Sequence, residues 1–427
     1  MKKSFLRAAA IACLPYCAMG FALATIPAQA ADKSDKAETP KVSKAVSKFL
    51  VDCKKGVDTK DWKAAIAACE LAQAVPEATD YDKYLTQRFL GVAYLNSGDR
   101  VKAGAAFVSV VKNPAAPADD RDSLIAPAMS LASEANNPPL VIELGQLAVK
   151  NNITNPDVWN ALAAAYYQSN DGPNAIAFAQ KGIDAATAKN AVPPYGLYQI
   201  LAFTYDKTKD RANEVKAFEL MARDYGKADD WRYLLDFSME TLPPGNKFSR
   251  EIAALDMYRL RVVVNAAWAG QNYLEAEDAA HAIRSWGDSR QFLQLGIAAG
   301  AINQAKVAPV LAQINSDAKK DEPILPTVEK SAKNSKDMVN VAEAYFGYAR
   351  YADAIRTAQK AVDLGGVGVS EAKLAIAMSQ IKSGDEAGAK ATLAGFQGDA
   401  ALSRAAQLWS LYLTRRYGAA APAPAAK

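Results

Sequence analysis

Few residues in this chain are of the types that carry out chemistry. His281 is the one histidine among 427 residues. Zinc sites built on several histidines are therefore excluded, and any Ser-His-Asp or Cys-His arrangement would have to use that position. Glu277 lies four residues earlier, but no motif supplies a nucleophile or an orienting group for the histidine. We therefore expect a packed or surface histidine, not a general acid or base.

Two Ser-x-x-Lys tetrads, Ser316 to Lys319 and Ser379 to Lys382, match a short pattern found in serine acyltransferases. Neither is accompanied by a Lys-Thr-Gly motif, and a pattern of two fixed residues is common by chance. Both tetrads fall in predicted helical or inter-helical surface. We interpret them as structural.

Glycine-rich and acidic segments also suggest chemistry at first sight. Residues 365–368 (GGVG) follow a predicted helix instead of a strand, and no Gly-Lys-Ser/Thr appears, so they indicate a helix end and a turn. The acidic pairs at 119–120 and 229–230 stand just before predicted helices and offer too few oxygen ligands for a calcium loop. The sequence predicts no enzyme, no metal and no cofactor.

The N-terminal segment has the three parts of a signal peptide. Lys2, Lys3 and Arg7 form a basic region, residues 8–26 are mostly apolar, and residues 28–30 (AQA) supply the small residues that a signal peptidase requires. This pattern predicts export with cleavage after Ala30. For a bacterial cell envelope it predicts a periplasmic location.

Two rival interpretations of this segment are a membrane anchor and a lipoprotein. Pro15, Gly20 and Pro27 interrupt the apolar run, and only about five apolar residues precede Cys13, fewer than a lipoprotein signal needs. Three of the four net positive charges lie in this segment, so the mature chain is nearly neutral and lacks a basic nucleic-acid footprint. After residue 30 no run is apolar enough for a transmembrane helix. We expect neither a nucleic-acid partner nor an integral membrane protein.

A recurring phrase organises the rest of the chain. It is clearest in residues 87–114, 159–182, 198–221 and 338–361, each with helical spacing of apolar positions. A Leu followed by a small residue recurs at 90–91, 162–163 and 201–202. A tyrosine recurs at 94, 166, 205 and 345, and a small residue at 103, 175 and 354.

This phrase resembles the tetratricopeptide repeat (TPR) family, whose unit of 34 residues is a helical hairpin. Small side chains let two antiparallel helices approach closely, so we expect Gly91 to face Ala103 and Ala163 to face Ala175. The resemblance implies an all-α fold, a right-handed superhelical solenoid of antiparallel helix pairs. Residues 399–416 are predicted to form a C-terminal capping helix over the last hairpin.

Repeat starts are predicted near residues 46, 84, 122, 156, 195, 228, 257, 289, 335 and 370. Those near 122, 228, 257 and 289 are degenerate. Residues 242–246 (LPPGN) insert a loop inside one unit. The predicted organisation is a signal peptide (1–30), a flexible linker (31–41), N-terminal TPR-like repeats (42–226), degenerate helical repeats (227–320), a linker (321–336), C-terminal TPR-like repeats with the capping helix (337–418), and a disordered Ala/Pro tail (419–427).

The two cysteines that follow the signal segment, Cys53 and Cys69, both fall in the first repeat. In the TPR pattern they occupy facing positions, the small position of the first helix and the aromatic position of the second. The resemblance and an oxidising compartment therefore imply a disulfide across the N-terminal hairpin. The alternative is two small buried thiols.

In the TPR family the first helix of each pair lines a concave surface that holds a ligand. The corresponding positions here include amide, aromatic and charged side chains: Arg88, Asn96, Asn160, Tyr167, Gln168, Gln199, Phe203 and Lys207. A later unit contributes Val339, Glu343 and Phe346. Amides can bond a peptide backbone and the rings can receive an apolar side chain, although some of these rings could instead pack between hairpins. The Lys, Arg and Asn set that binds a C-terminal carboxylate in this family is absent.

Three functions are consistent with these observations. The leading hypothesis is an exported, non-enzymatic scaffold that binds another cell-envelope protein or peptide through its concave surface. The second is a glycan- or cell-wall-binding helical-repeat module. The weakest is a hydrolase or acyltransferase with a site in the degenerate middle. The sequence leaves the partner and the oligomeric state open.

Overall fold

The computed structural model describes residues 41–415, with the exception of residue 154. The predicted signal peptide, most of the predicted N-terminal linker and the predicted tail lie outside the described residues. Within the described residues the chain forms 21 α-helices and one 3-10 helix and no β-strand. The predicted all-α fold class is confirmed. The described residues divide into two compact units, 41–211 and 212–415.

The first unit contains nine α-helices in its described part. Their bounds are α1 (Lys44–Asp58), α2 (Trp62–Gln73), α3 (Asp80–Ser97), α4 (Arg100–Lys112), α5 (Ala118–Glu134), α6 (Pro138–Lys150), α7 (Pro156–Gln168), α8 (Gly172–Ala188) and α9 (Tyr195–Thr208).

The second unit begins within α10 (Arg211–Asp224), and its helices vary widely in length. Its helices are α10 (Arg211–Asp224), α11 (Ala228–Glu240), α12 (Lys247–Val263), α13 (Gly270–Ala282), α14 (Trp286–Ala298), α15 (Gln304–Asp321), the 3-10 helix Glu322–Ile324, α16 (Leu325–Ser331), α17 (Ser335–Gly347), α18 (Tyr351–Leu364), α19 (Val369–Lys382), α20 (Glu386–Leu393) and α21 (Ala400–Leu413).

In the first unit, consecutive helices form antiparallel pairs because very short turns join them. The pairs are α1 with α2, α3 with α4, α5 with α6, and α7 with α8. Each second helix also packs on the first helix of the next pair. First helices contact one another directly, α1 with α3, α5 with α7, and α7 with α9. The first helices therefore lie side by side on one face of the stack.

The turn inside each pair has a common local structure. A residue with positive φ ends the first helix, as at Gly98 (φ 90°) and Asn170 (φ 58°). The next residue is Asp or Asn, and its side chain caps the second helix: Asp99 accepts from the Lys102 N–H and Asp171 from the Asn174 N–H. A left-handed residue stops one helix and the cap starts the next within two residues.

Small residues set the distance between paired helices, as the repeat pattern predicts. A Cβ at Gly56 would lie 2.6 Å from the backbone nitrogen of Ala65, so only glycine allows this approach of α1 to α2. A Cβ at Gly91 would lie 2.4 Å from the ring of Phe107. We predicted that Gly91 would face Ala103. The atoms nearest to a Cβ at Gly91 belong instead to the Phe107 ring, which fills the space that the glycine leaves.

In the second unit the last helix packs against α12, a helix from the early part of the unit. Helix α12 contacts α11, α13 and the terminal helix α21, and α21 also contacts α19 and α20. Trp409 of α21 and Leu255 of α12 are fully buried in the same core cluster. The predicted capping helix therefore covers the last hairpin, but it also covers α12, far earlier in the sequence.

The predicted phase of the repeats is wrong in the degenerate middle. Starts near 257 and 289 fall inside α12 and α14, and the turn between α13 and α14 lies at Arg284 (φ 60°) and Ser285. Without the Leu-small pair or the tyrosine, helical periodicity alone does not locate turns. The predicted linker at 321–336 contains the 3-10 helix and α16, whereas residues 242–246 form a loop between α11 and α12, as expected.

None of the helices between residues 41 and 415 combines the length and the apolar character needed to cross a lipid bilayer.

Candidate protein-binding surface

Tyr167, Phe203 and Lys207 lie together where α7 meets α9, and we call these three residues the Tyr167 patch. The ring centroids of Tyr167 and Phe203 are 6.5 Å apart, and the Lys207 ammonium lies 3.9 Å from the Tyr167 centroid. Both rings are half-buried and the lysine is exposed. The patch exists because neighbouring first helices are in contact and each contributes one aromatic residue.

The cation of the Tyr167 patch interacts with the ring and not with a carboxylate. Asp206 is the adjacent acidic residue, and it forms ion pairs with Lys209 at 3.9 Å and Arg211 at 3.4 Å. In the described part of the chain no carboxylate lies within ion-pair distance of Lys207. A cation over an exposed ring contributes about 0.5–1 kcal/mol. The ammonium therefore keeps donors that face solvent.

The predicted amide residues surround the Tyr167 patch and continue along the first-helix face. Gln168 is exposed at the end of α7, Gln199 is half-buried on α9, and Asn96 is exposed on α3, where its amide donates to the Val92 carbonyl at 2.8 Å. These side chains are accessible to a ligand that approaches the face.

Asn160 has a different environment from the other predicted amides. Its Oδ1 atom is buried and has no hydrogen-bond partner among the described residues. A Cβ at Gly196 would come within 2.6 Å of this oxygen, so α7 and α9 approach each other through the glycine. Asn160 thus belongs to the contact between two first helices.

Arg88 forms a bridge between α3 and α5. Its Nε lies 2.6 Å from a carboxylate oxygen of Asp120, and the Tyr84 hydroxyl donates to the same carboxylate. Burial and this hydrogen bond raise the pKa of the Tyr84 phenol above its usual range, so the phenol remains a donor. Arg88 is largely engaged within the protein.

The prediction that Val339, Glu343 and Phe346 line a binding face is wrong. All three are buried in the second unit, with exposures between 0 and 5%. Glu343 forms an ion pair with Arg259 of α12, and the Arg259 guanidinium lies 4.1 Å from the centroid of the Phe346 ring. Packing of α17 into the core, which repeat position alone does not reveal, covers these residues.

Comparisons with known proteins add only weak structural likenesses. No protein-family model matches the chain, and no curated protein matches it. Solved structures that align with it include a tetratricopeptide repeat protein from Parabacteroides merdae (11% identity, 79% of this chain and 100% of that chain, TM-score 0.32) and the TPR domain of P58(IPK) (9%, 86% and 98%, TM-score 0.19). The structure of Naa15/Naa10 bound to HypK-THB also aligns (12%, 88% and 69%, TM-score 0.25).

The fold follows from the chain's own contacts: the antiparallel pairs, the adjacent first helices and the glycine approaches described above. The chain has a TPR-like fold.

His281 lies on α13, and the two Ser-x-x-Lys tetrads lie on two other helices, α15 and α19. His281 is about half-exposed, lies 3.2 Å from Glu277 and contacts the edge of the Trp286 ring. The Ser379 hydroxyl is fully buried, so no substrate reaches it. Between residues 41 and 415, apart from 154, no group of three His, Cys, Asp or Glu side chains could hold a metal ion.

The TPR-like first unit also contains a groove that sequence reasoning missed. It lies between α4 and α6 with α5 as its floor and has a volume of about 400 Å³. Val101 at its rim is 77% exposed, and an Arg100 to Glu134 ion pair at 2.5 Å spans α4 and α5. The sequence signal for it is the run of small residues on α4 and α5, which leaves space above the floor: Gly104, Ala105, Ala128, Ala132 and Ala135.

Proposed function

We propose that this chain is an exported, non-enzymatic scaffold that binds another cell-envelope protein or peptide through the first helices of its first unit. The observation that supports this most directly is the Tyr167 patch, in which two half-buried rings and a lysine without a carboxylate partner lie on one face. The proposal of export depends on the signal-like residues 1–30.

The chemistry of the face suits an extended polypeptide. Aromatic rings that are partly exposed bury apolar side chains at low entropic cost, and flanking amides such as Gln168 and Gln199 can pair with backbone N–H and C=O groups. The nearly neutral mature chain and the absence of a basic block argue against a nucleic-acid ligand. A protein or peptide is therefore the partner class we favour.

Site-specific cross-linking in intact cells tests this proposal with a matched pair of positions. Gln168 on α7 and Gln180 on α8 are both exposed glutamines, but only Gln168 adjoins the Tyr167 patch. A photoreactive residue at 168 should give a discrete protein adduct, whereas the same residue at 180 should not. Equal adducts from both positions, or none from 168, would contradict binding at this face, and adducts to cell-wall material would favour the glycan alternative.

A double substitution tests which residues of the face supply affinity. Tyr167→Ala with Phe203→Ala should weaken capture of the cross-linked partner at least tenfold, because buried aromatic anchors commonly contribute 2 kcal/mol or more, as an order of magnitude. Far-ultraviolet circular dichroism should remain unchanged, since both rings are only half-buried. If binding is unaltered while the unfolding midpoint falls, the rings are packing residues and the proposed site is wrong.

A further inference from the structure

The core of the second unit contains a cluster of three carboxyl groups around one guanidinium. Arg259 of α12 donates from Nη1 to Asp256 at 2.9 Å and to Glu343 of α17 at 2.5 Å. It donates from Nη2 to Asp288 of α14 at 2.6 Å. The exposed fraction of each of these four side chains is 4% or less. Three potential negative charges thus face one positive charge in a buried site.

Asp288 is the carboxylate that matches the charge of Arg259. Its Oδ2 accepts from both Nη2 and Nε of the guanidinium, and the Ser285 hydroxyl donates to it at 2.7 Å. It also lies in the first turn of α14, where the helix dipole favours negative charge. Asp288 and Arg259 therefore form a neutral pair.

Asp256 and Glu343 each accept a hydrogen bond through one carboxyl oxygen, both from Nη1 of Arg259. The second carboxyl oxygen of each residue has no hydrogen-bond partner in the described part of the chain. Asp256 Oδ2 and Glu343 Oε1 are buried, and neither has a hydrogen-bond donor among residues 41–415 with 154 omitted. A buried carboxylate oxygen without a hydrogen-bond donor strongly disfavours the ionised form of its group. Two such charges on one already neutralised guanidinium are not stable together.

We propose that Asp256 and Glu343 form a buried acid pair that holds a proton at neutral pH, so that the folded second unit binds one more proton than the unfolded chain. The site is a proton-binding site in the core and does not depend on the function proposed above. Burial, and for Asp256 the adjacent Glu343, raises the pKa of both carboxyls against the opposing effect of Arg259.

Other titratable groups face the cluster from neighbouring helices. Tyr351 of α18 and Lys382 of α19 are influenced by the charge of Asp288, and Glu371 of α19 lies near Glu343 and accepts from the Ser249 hydroxyl at 2.6 Å. Burial raises the pKa of Tyr351, and burial lowers the pKa of Lys382 from an alkaline starting value. Neither of these two supplies the extra proton expected at neutral pH.

The sign of the pH dependence follows from the raised pKa values. A carboxyl whose pKa is higher in the folded state retains its proton there while the unfolded chain loses it above about pH 4. Stability is therefore greatest at acidic pH and falls as the pH rises through the folded pKa. Within that window one proton changes the unfolding equilibrium by up to tenfold per pH unit.

Hydrogen exchange of the full chain measures this effect in the second unit itself. Protection factors of peptides from α12 should fall as the pH rises from 5 to 8, after correction for intrinsic exchange. In Asp256→Asn, which replaces the acid by a neutral isostere, the fall should be largely removed. Glu343→Gln provides a second variant, and at least one of the two must fold because one of the two groups is already neutral.

Proton release on unfolding gives an independent measurement. Denaturation at pH 7 in dilute buffer should release about one proton fewer from Asp256→Asn or Glu343→Gln than from the unmodified chain. Asp236→Asn is the control, because Asp236 faces two cations, Arg261 at 2.6 Å and Arg232 at 3.7 Å, instead of sharing one cation with other acids, and should leave the release unchanged. Equal release from all four proteins, or loss of the fold in both acid-pair variants, would show that both groups are ionised and overturn the proposal.

Discussion

Buried carboxylates of the second unit differ in the number of cations that face them. Asp256 and Glu343 share one guanidinium with a third acid, whereas Glu329 of α16 faces two cations. Arg356 forms an ion pair with it, the Lys360 ammonium lies 2.7 Å away, and the Tyr345 hydroxyl donates at 3.3 Å. The two clusters should therefore respond to pH in opposite directions.

We predict that Glu329→Gln destabilises the second unit at neutral pH and has little effect in strong acid. Burial by itself would raise the pKa of Glu329, but hydrogen bonds from Arg356 and Lys360 outweigh it and bring the pKa from 4.5 to about 2. The stabilisation is therefore complete above the unfolded pKa and is lost as the pH falls toward 2. At pH 7 the cost should be about 1–3 kcal/mol, reduced by solvent around the two cations.

Urea unfolding at pH 7 and pH 3 measures this difference. The exposed Glu322, which lies in the adjacent 3-10 helix, gives the control substitution Glu322→Gln, for which we expect little change at either pH. A destabilisation by Glu329→Gln of the same size at both pH values would indicate that the side chain contributes by packing and not by charge.

At the scale of the element, the turn inside each pair explains why the repeat of the first unit can be recognised from the sequence. Positive-φ residues occur at Lys60, Gly98, Asn136, Asn170 and Lys209, with the same spacing as the predicted repeat starts. The Asp or Asn that follows each of the first four caps the next helix. Turn chemistry and the Leu-small pattern therefore indicate the same phase, and helix pairing there could be predicted.

The same reasoning explains what the sequence could not reveal. In the second unit the turn between α13 and α14 has Arg284 in the left-handed position, which carries no turn signal, and the predicted repeat starts near 257 and 289 are wrong. The acid cluster joins α12 to α14 and α17, so it depends on packing between distant segments. The residues of the Tyr167 patch could be anticipated one by one, because all three occupy predicted ligand-facing positions on the first helices of adjacent repeats.

The N-terminal hairpin provides a prediction about the link between two elements. The Cα atoms of Cys53 on α1 and Cys69 on α2 are 5.0 Å apart, within the range that a disulfide requires, and both side chains are fully buried. We predict that the protein carries this bond. Closing a loop of this length should stabilise the terminal hairpin by roughly 3 kcal/mol in the loop-entropy model.

Mass measurement of the mature protein under non-reducing conditions, with and without an alkylating reagent, tests the bond. If the disulfide is present, neither Cys53 nor Cys69 is alkylated. The double variant Cys53→Ala/Cys69→Ala should show faster hydrogen exchange in α1 and α2 than the unmodified chain. Two alkylated cysteines in the native protein would contradict the prediction.

At the scale of the whole molecule, the two compact units bury their apolar helix faces by different packing arrangements. In the first unit each pair is covered by the next pair. In the second unit α21 packs on α12 as well as on α19 and α20, so α21 completes a core to which helices from α10 onward contribute. Arg404 of α21 adds polar contacts, donating to the Ser238 hydroxyl of α11 and to Glu219 of α10 at 2.7 Å.

We predict that removing α21, by truncation after Gly398, exposes the α12 core and not only the last hairpin. Trp409 and Leu402 are at most 1% exposed, and their loss leaves a cavity that neighbouring side chains cannot fill. Peptides from α12 should lose hydrogen-exchange protection by at least tenfold, although more than 100 residues separate them from the deletion. Truncation after Arg415, which retains all of α21, is the control and should leave this protection unchanged. If only α19 and α20 lose protection, α21 is a simple cap on the final pair, and the core of the second unit does not depend on the end of the chain.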